Sequence, residues 1–263
     1  MGVASVTNYF VFLRKEVMEL VRTKKLLGLL AVFLFFAFTS PVLARYMTEF
    51  IALLVPADEA LQFLIPDPVW TDSYVQFYGN IAQIGNVTII LLFMGIIASE
   101  RQRGTTDLVL TKGLSHWSFV LSKFTVVSVA TVLTMLVSIA VVFLYTSVLF
   151  DTAGRLGDAV LGALTYSVFL VLVVALTVFS SAIAKSNVTA AMIGFLSFLG
   201  ILLISALPTI GELLPGNLSG RAMEITVEGY FHSNFVGNVL VSLGLTALLL
   251  ALSVLVMRRQ EGA

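Results

Sequence analysis

Ionised side chains stand far apart over most of this chain, and the gaps between them constrain the fold more than any periodicity does. Placing a charge at mid-bilayer costs at least ~2.5–3.5 kcal/mol on insertion scales, so long charge-free runs mark stretches that can cross a membrane. Six occur: 26–44, 73–99, 124–150, 159–184, 186–211 and 229–257. A helix rising ~1.5 Å per residue needs ~20 residues to span the hydrocarbon layer, which every run but the first exceeds. The first begins after Lys24-Lys25 and is expected to continue past Pro41 toward Tyr46. With 59% hydrophobic residues, 11% charged ones and a mean hydropathy of +1.02, nothing polar is left to build a separate aqueous domain. The expected fold is an all-α membrane protein, one domain over 1–263, with six transmembrane helices.

Six spans put both termini on one side, and the basic residues say which. Arg14, Lys15, Arg22, Lys24, Lys25, Arg101, Arg103, Lys112, Lys123, Lys185, Arg258 and Arg259 lie on the terminal side, whereas Arg45, Arg155 and Arg221 lie opposite. Both termini are therefore expected in the cytoplasm. The formal net charge of zero hides this polarity. The charged segment ahead of the first run argues against a cleavable signal.

The same residues exclude most chemistry. Zero cysteines remove disulfides and thiolate ligands, and the two histidines, His116 and His232, fall on opposite sides of the membrane. No H-E-x-x-H or G-x-S-x-G pattern offers an intramembrane hydrolase, so neither a catalytic residue nor a metal site is expected. No G-x-x-x-x-G-K-[ST] loop is present, so no bound nucleotide or other cofactor is expected. The spans lack the carboxylates on which ion-coupled carriers usually rely. A secondary carrier or channel is the alternative to a subunit powered by a separate motor. Nothing in the charge pattern suggests a nucleic-acid partner.

Two cytoplasmic segments carry the most information. In residues 1–25, Val6, Phe10, Leu13, Val17 and Leu20 recur at helical spacing, away from Arg14, Glu19 and Arg22, which predicts an amphipathic helix flat on the inner leaflet. The loop 100–117 between spans two and three has its own punctuation. Gly104 suits the position just past the end of span two, Thr105 or Thr106 can cap a short new helix that Gly113 ends, and Ser115 caps span three. A plain solvated connection is the simpler alternative. Against it stands Glu100, a carboxylate at a helix C-terminus, which loses ~0.3–1 kcal/mol unless a cation compensates. Arg101 and Arg103 are near in sequence, and Arg14, Lys15 and Arg22 are expected to be near in space.

These residues carry a family resemblance. Glu100, Gly104-Thr105, Asp107-Leu108-Val109-Leu110-Thr111, Leu114-Ser115, Trp117 and Lys123 resemble the E-x-x-x-G-T-L-E-L-L-L-S-x-P-I-S-R-W…K signature of type-2 ABC permeases. Arg14-Lys15-Glu16, Glu19-Leu20 and Arg22-Thr23-Lys24-Lys25 resemble that family's leading R-K-E…E-L-x-R-x-x-R segment. Thr106, Gly113 and His116 depart from the pattern.

The resemblance implies a permease subunit of an ATP-driven exporter in a bacterial or archaeal plasma membrane. Residues 1–25 would be an elbow helix with contacts through Arg14, Lys15, Glu16 and Arg22. Loop 100–117 would be a coupling helix, its site formed by Glu100, Gly104, Thr105, Asp107, Leu108, Leu110 and Leu114. ATP and Mg would sit on a separate ABC ATPase subunit, in two copies, and two permease chains would pair as a homo- or heterodimer.

Polar residues within the spans are uncharged, and they usually serve as contacts between helices, like the small pair Ala190 and Gly194. Gln83, Asn86, Thr131 and Ser181 are the candidates for lining a path. Outside the membrane, prolines in 47–72 predict short interfacial helices, and Pro208, Gly211, Pro215, Gly216 and Gly220 in 208–234 predict re-entrant half-helices. Glu212, Glu224 and Glu228 are read as solvated surface acids.

Overall fold

A computed structural model describes residues 2–54, 67–106, 114–207 and 211–261 of the protein. Among these residues every regular element is helical. Helix α1, Gly2–Arg22, ends where Lys24 takes a left-handed conformation (φ +57°), and α2, Lys25–Leu54, starts at once. Pro41 lies inside α2, and the helix runs past it as expected.

The second span, Trp70–Gln102, is discontinuous. It comprises α3 (Trp70–Asn80), a π-helical turn (Ile81–Gly85), α4 (Asn86–Phe93), a non-helical turn over 94–97, and α5 (Ala98–Gln102). Then follow α6 (His116–Phe150), α7 (Leu156–Ile183), α8 (Asn187–Ser205), α9 (Leu218–Glu228) and α10 (Phe235–Glu261). Six segments are long and apolar enough to cross a membrane: α2, the α3–α5 series, α6, α7, α8 and α10.

Helix α7 is the centre. In its most apolar window 72% of residues are buried, against 22% in α8, because α6, α8, α9 and α10 all pack around it. Two glycines sit at helix crossings. A Cβ on Gly162 of α7 would lie 2.5 Å from the Ala222 carbonyl oxygen of α9, and one on Gly194 of α8 would lie 3.2 Å from Ile90 and 3.5 Å from Ser180. Small residues at such crossings let helix backbones approach where lipid offers no hydrophobic drive.

Polar side chains inside the bundle bond mainly to backbone or to one another. Asn86 donates to the Ala82 carbonyl (2.8 Å), inside the π turn, and to the Tyr166 hydroxyl (2.9 Å). Tyr78 pairs with Thr226 of α9 at 3.0 Å.

The segment after α8 forms two 3₁₀ turns, Gly211–Leu213 and Pro215–Asn217, followed by α9, which packs on α7 and α3. Residues 47–54 continue α2 rather than starting an interfacial helix. The proline-rich stretch 55–66 and Pro208 lie outside the described residues.

Candidate functional site

The non-helical turn in span two builds the site. After Phe93 the chain leaves the helix, and the Ile97 and Ala98 N–H groups both donate to the Ser181 hydroxyl of α7 at 3.0 Å. Ser181 thus stands in for the missing helical acceptors at the start of α5. Gly95 makes room for Asn187, the first residue of α8, whose Oδ1 would lie 2.7 Å from a Cβ placed there.

Glu100 falls in the first turn of α5. The expected penalty at the C-terminus of an unbroken helix therefore does not apply. Its need for cations comes from burial instead, at 9% exposure. Lys123 of α6, 1% exposed, has its Nζ 3.0 Å from Glu100 Oε1 and 3.0 Å from Glu16 Oε1 of α1. Lys15 of α1 reaches Glu100 at 2.5 Å, Glu16 at 2.9 Å and Glu19 at 2.8 Å.

Two ammonium groups and three carboxylates so lock α1, α5 and α6 together. The carboxylate oxygens of Glu16, Glu19 and Glu100 lie within 4.8 Å of one another, a spacing suited to a cation, and the lysines supply that charge. The Phe12 and Phe119 rings cover Lys123, with centroids 5.7 and 5.0 Å from its Nζ. Burial alone would lower the pKa of Lys15, but its hydrogen bond to Glu100 and the charge of Glu16 outweigh this and raise it. Glu19 is pushed up by burial, yet the hydrogen bond and charge of Lys15 bring its pKa below the usual carboxylate value.

Arg101 points the other way. Its guanidinium donates to the Ala182 carbonyl at 2.9 Å, to the Ala184 carbonyl and to the Gln260 side chain near the end of α10. Gln102 donates to the Lys185 carbonyl at 2.8 Å. A cation on the last carbonyls of α7 is where the helix dipole favours it. Residues 100–102 therefore hold α1 and α6 on one side and the α7–α8 connection on the other.

Beyond them Gly104 has φ +68°, Thr105 donates to the Glu100 carbonyl at 2.9 Å, and Leu114 is buried. Ser115 accepts from the Ser118 N–H at 3.1 Å and caps α6. Asp107, Leu108 and Leu110, with the short helix expected up to Gly113, lie outside the described residues.

Of the expected elbow contacts, Lys15 and Glu16 face the cluster, whereas Arg14 and Arg22 are exposed. Of the cations anticipated beside Glu100, Lys15 reaches it, and the second cation is Lys123 rather than an arginine. Sequence reasoning misses Lys123 as a partner of the carboxylates, although a lysine at the head of the charge-free run 124–150 signals that some partner is needed. The face of α1 turned to the bundle carries Phe12, Glu16 and Leu20, while Phe10 and Val17 of the apolar stripe are exposed. Of the four polar span residues, Asn86, Thr131 and Ser181 are fully buried, and Gln83 is exposed. On the opposite side of the bundle Glu224 pairs with Arg221 at 3.1 Å, and Glu212 accepts from Asn234 at 3.1 Å.

Known sequences give this arrangement a family. The chain is 24% identical over 250 residues to the uncharacterized transmembrane protein YxlG of Bacillus subtilis (strain 168), covering 95% of this chain and 96% of that protein. Residues 10–261 match the family described as ABC-2 family transporter protein. With all six apolar helices inside that match, the chain belongs to the ABC-2 family of membrane transporter proteins.

Proposed function

We propose that this chain is the permease subunit of an exporter in a bacterial or archaeal plasma membrane, moved by a separate ABC ATPase that docks on loop 100–117. The observation that carries the reading is the ionic lock at the base of that loop, where Lys123 joins Glu100 to Glu16. A buried pair of this kind loses far more when one partner is removed than it gains from being formed, so it resists being pulled apart. Motion imposed on the loop is then passed to α1 as the elbow helix, to α6, and through Arg101 to α7. ATP and Mg belong to the partner, in two copies, and this chain acts without catalysis of its own.

Gln83 supports a pair of permease chains. It is a polar side chain on the outer surface of the second span, deep within a charge-free run, and an uncharged amide there is better satisfied across a second copy than in lipid. Both termini on the cytoplasmic side follow from the twelve-to-three basic asymmetry.

A photo-crosslinking side chain at Arg103, exposed at the loop's edge, tests the docking. Irradiation of native membranes should capture a chain that carries a nucleotide phosphate loop. Transport by the purified chain in vesicles without ATP, with no such capture, would refute the reading in favour of a secondary carrier or channel.

A further inference from the structure

A groove of about 380 Å³ runs between α1, α2 and α6. Leu13, Val17 and Val21 form its α1 wall, Leu26 and Leu30 its α2 wall, and α6 contributes residues from Thr125 to Val137. Twelve helical rises from Thr125 to Val137 make this about 18 Å long. Its lining is apolar apart from two threonines, and Val17, Val21, Val129, Leu133 and Val137 are all exposed along it. At roughly 30 Å³ for a group the size of a water or methylene, the groove has room for on the order of a dozen methylenes.

The charges beside it are of one sign. With about 100° between successive helix positions, Arg14 follows Leu13, Val17 and Val21 around α1 on the side away from the bundle. Arg14, Arg22 and Lys24 are exposed and form no ion pair among the described residues. The acids of α1 face the other way, where Lys15 and Lys123 hold them. The membrane-facing side of α1 therefore offers a long apolar slot beside uncompensated positive charge.

We propose that this groove binds one anionic phospholipid of the inner leaflet, with an acyl chain between α1, α2 and α6 and the phosphate at Arg14. The inference rests on the reading of α1 as a helix at the inner membrane surface. It adds a lipid requirement to that reading. A bound lipid ties α1 to α6 on the face opposite the ionic lock, so the lock is held from both sides. Each basic residue near an anionic headgroup is worth a factor of about five over a neutral one.

The test uses the purified, delipidated full chain in detergent, titrated with dioleoylphosphatidylglycerol or dioleoylphosphatidylcholine and read by native mass spectrometry and melting temperature. Wild type should retain one phosphatidylglycerol per chain at least fivefold more tightly than phosphatidylcholine, and it should melt higher with it. Leu133→Trp, which fills the slot from an exposed position, should lose that lipid. If this variant is poorly folded, Val129→Phe serves the same purpose. Arg14→Gln should bind the two lipids alike.

Equal binding of both lipids by wild type would overturn the proposal, as would retention of the phosphatidylglycerol by a folded slot-filling variant. Efficient disulfide crosslinking of Leu133→Cys between copies in membranes would overturn it in favour of a second chain covering the groove. No nucleotide or ATPase enters these readouts, so failure of the ATPase partnership leaves them unchanged. The placement of α1 is read separately, by labelling Arg14→Cys with an impermeant thiol reagent on each side of the membrane.

Discussion

The Lys123 ammonium lies 3.0 Å from the Glu100 carboxylate, although the two residues belong to different spans and 23 positions separate them. At 1% exposure Lys123 cannot turn to water for compensation, and Glu16 and Glu100 share it. Lys123→Met should therefore leave the carboxylates with Lys15 alone and cost about 3–5 kcal/mol of stability in detergent unfolding. Glu100→Gln should cost less, because Lys123 still has Glu16. A smaller loss for Lys123→Met than for Glu100→Gln would refute this ranking.

The cluster was only half legible in the sequence. Charge-free runs located the six spans because insertion energetics depends on composition alone, and Gly104 and Ser115 announced their roles because left-handed backbone and N-caps are local. Partnership is not local. An amphipathic pattern on α1 says that two faces differ, without saying which one meets protein. In a membrane the apolar face is free to meet lipid, so the Phe12, Glu16 and Leu20 face turns inward. The turn over 94–97 left no mark either, since the group that compensates it, the Ser181 hydroxyl, lies 84 residues downstream of Ile97.

At Gly162 helix α7 admits no larger side chain. A Cβ there meets the Thr226 hydroxyl most closely of all, then the Ala222 backbone oxygen at 2.5 Å and the Tyr78 hydroxyl at 2.9 Å, and the backbone atom cannot move without shifting α9. Gly162→Ala should cost about 1–3 kcal/mol. Adding Thr226→Ala should not restore the loss, since the carbonyl remains. Gly157→Ala, with nothing within 4 Å, is the control and should be neutral or slightly stabilising. Equal stability of the two single variants would show that α9 does not pack on α7 this closely.

Arg101 holds the Ala182 and Ala184 carbonyls together with Gln260. Arg101→Gln should free the end of α7 and raise hydrogen exchange of the amides in 183–187 by about tenfold, the equivalent of losing ~1–1.5 kcal/mol from one charge-assisted contact. Arg103→Gln, at an exposed neighbour, should leave that exchange unchanged. A matching rise in both variants would point to general loosening of the loop rather than to this clamp.

Lys15 and Glu19 give the cluster a pH dependence whose sign can be worked out. The hydrogen bond and charge of Lys15 outweigh burial at Glu19, so the folded carboxyl titrates below its ordinary value of 4.5. A depressed carboxylate contributes stability that is fully present above the ordinary value and disappears as pH falls through the folded one. Lys15 is raised above 10.5, so its contribution is full at neutral pH and disappears only as pH rises through its folded value. Both side chains are about two-fifths exposed, which limits the Glu19 contribution to under about 1 kcal/mol. The stability difference between wild type and Glu19→Gln should be constant from about pH 6 to pH 8 and shrink in acid below the ordinary carboxylate value. A difference that grows on acidification would mean that Glu19 is destabilised in the folded chain and that Lys15 is engaged chiefly by Glu16 and Glu100.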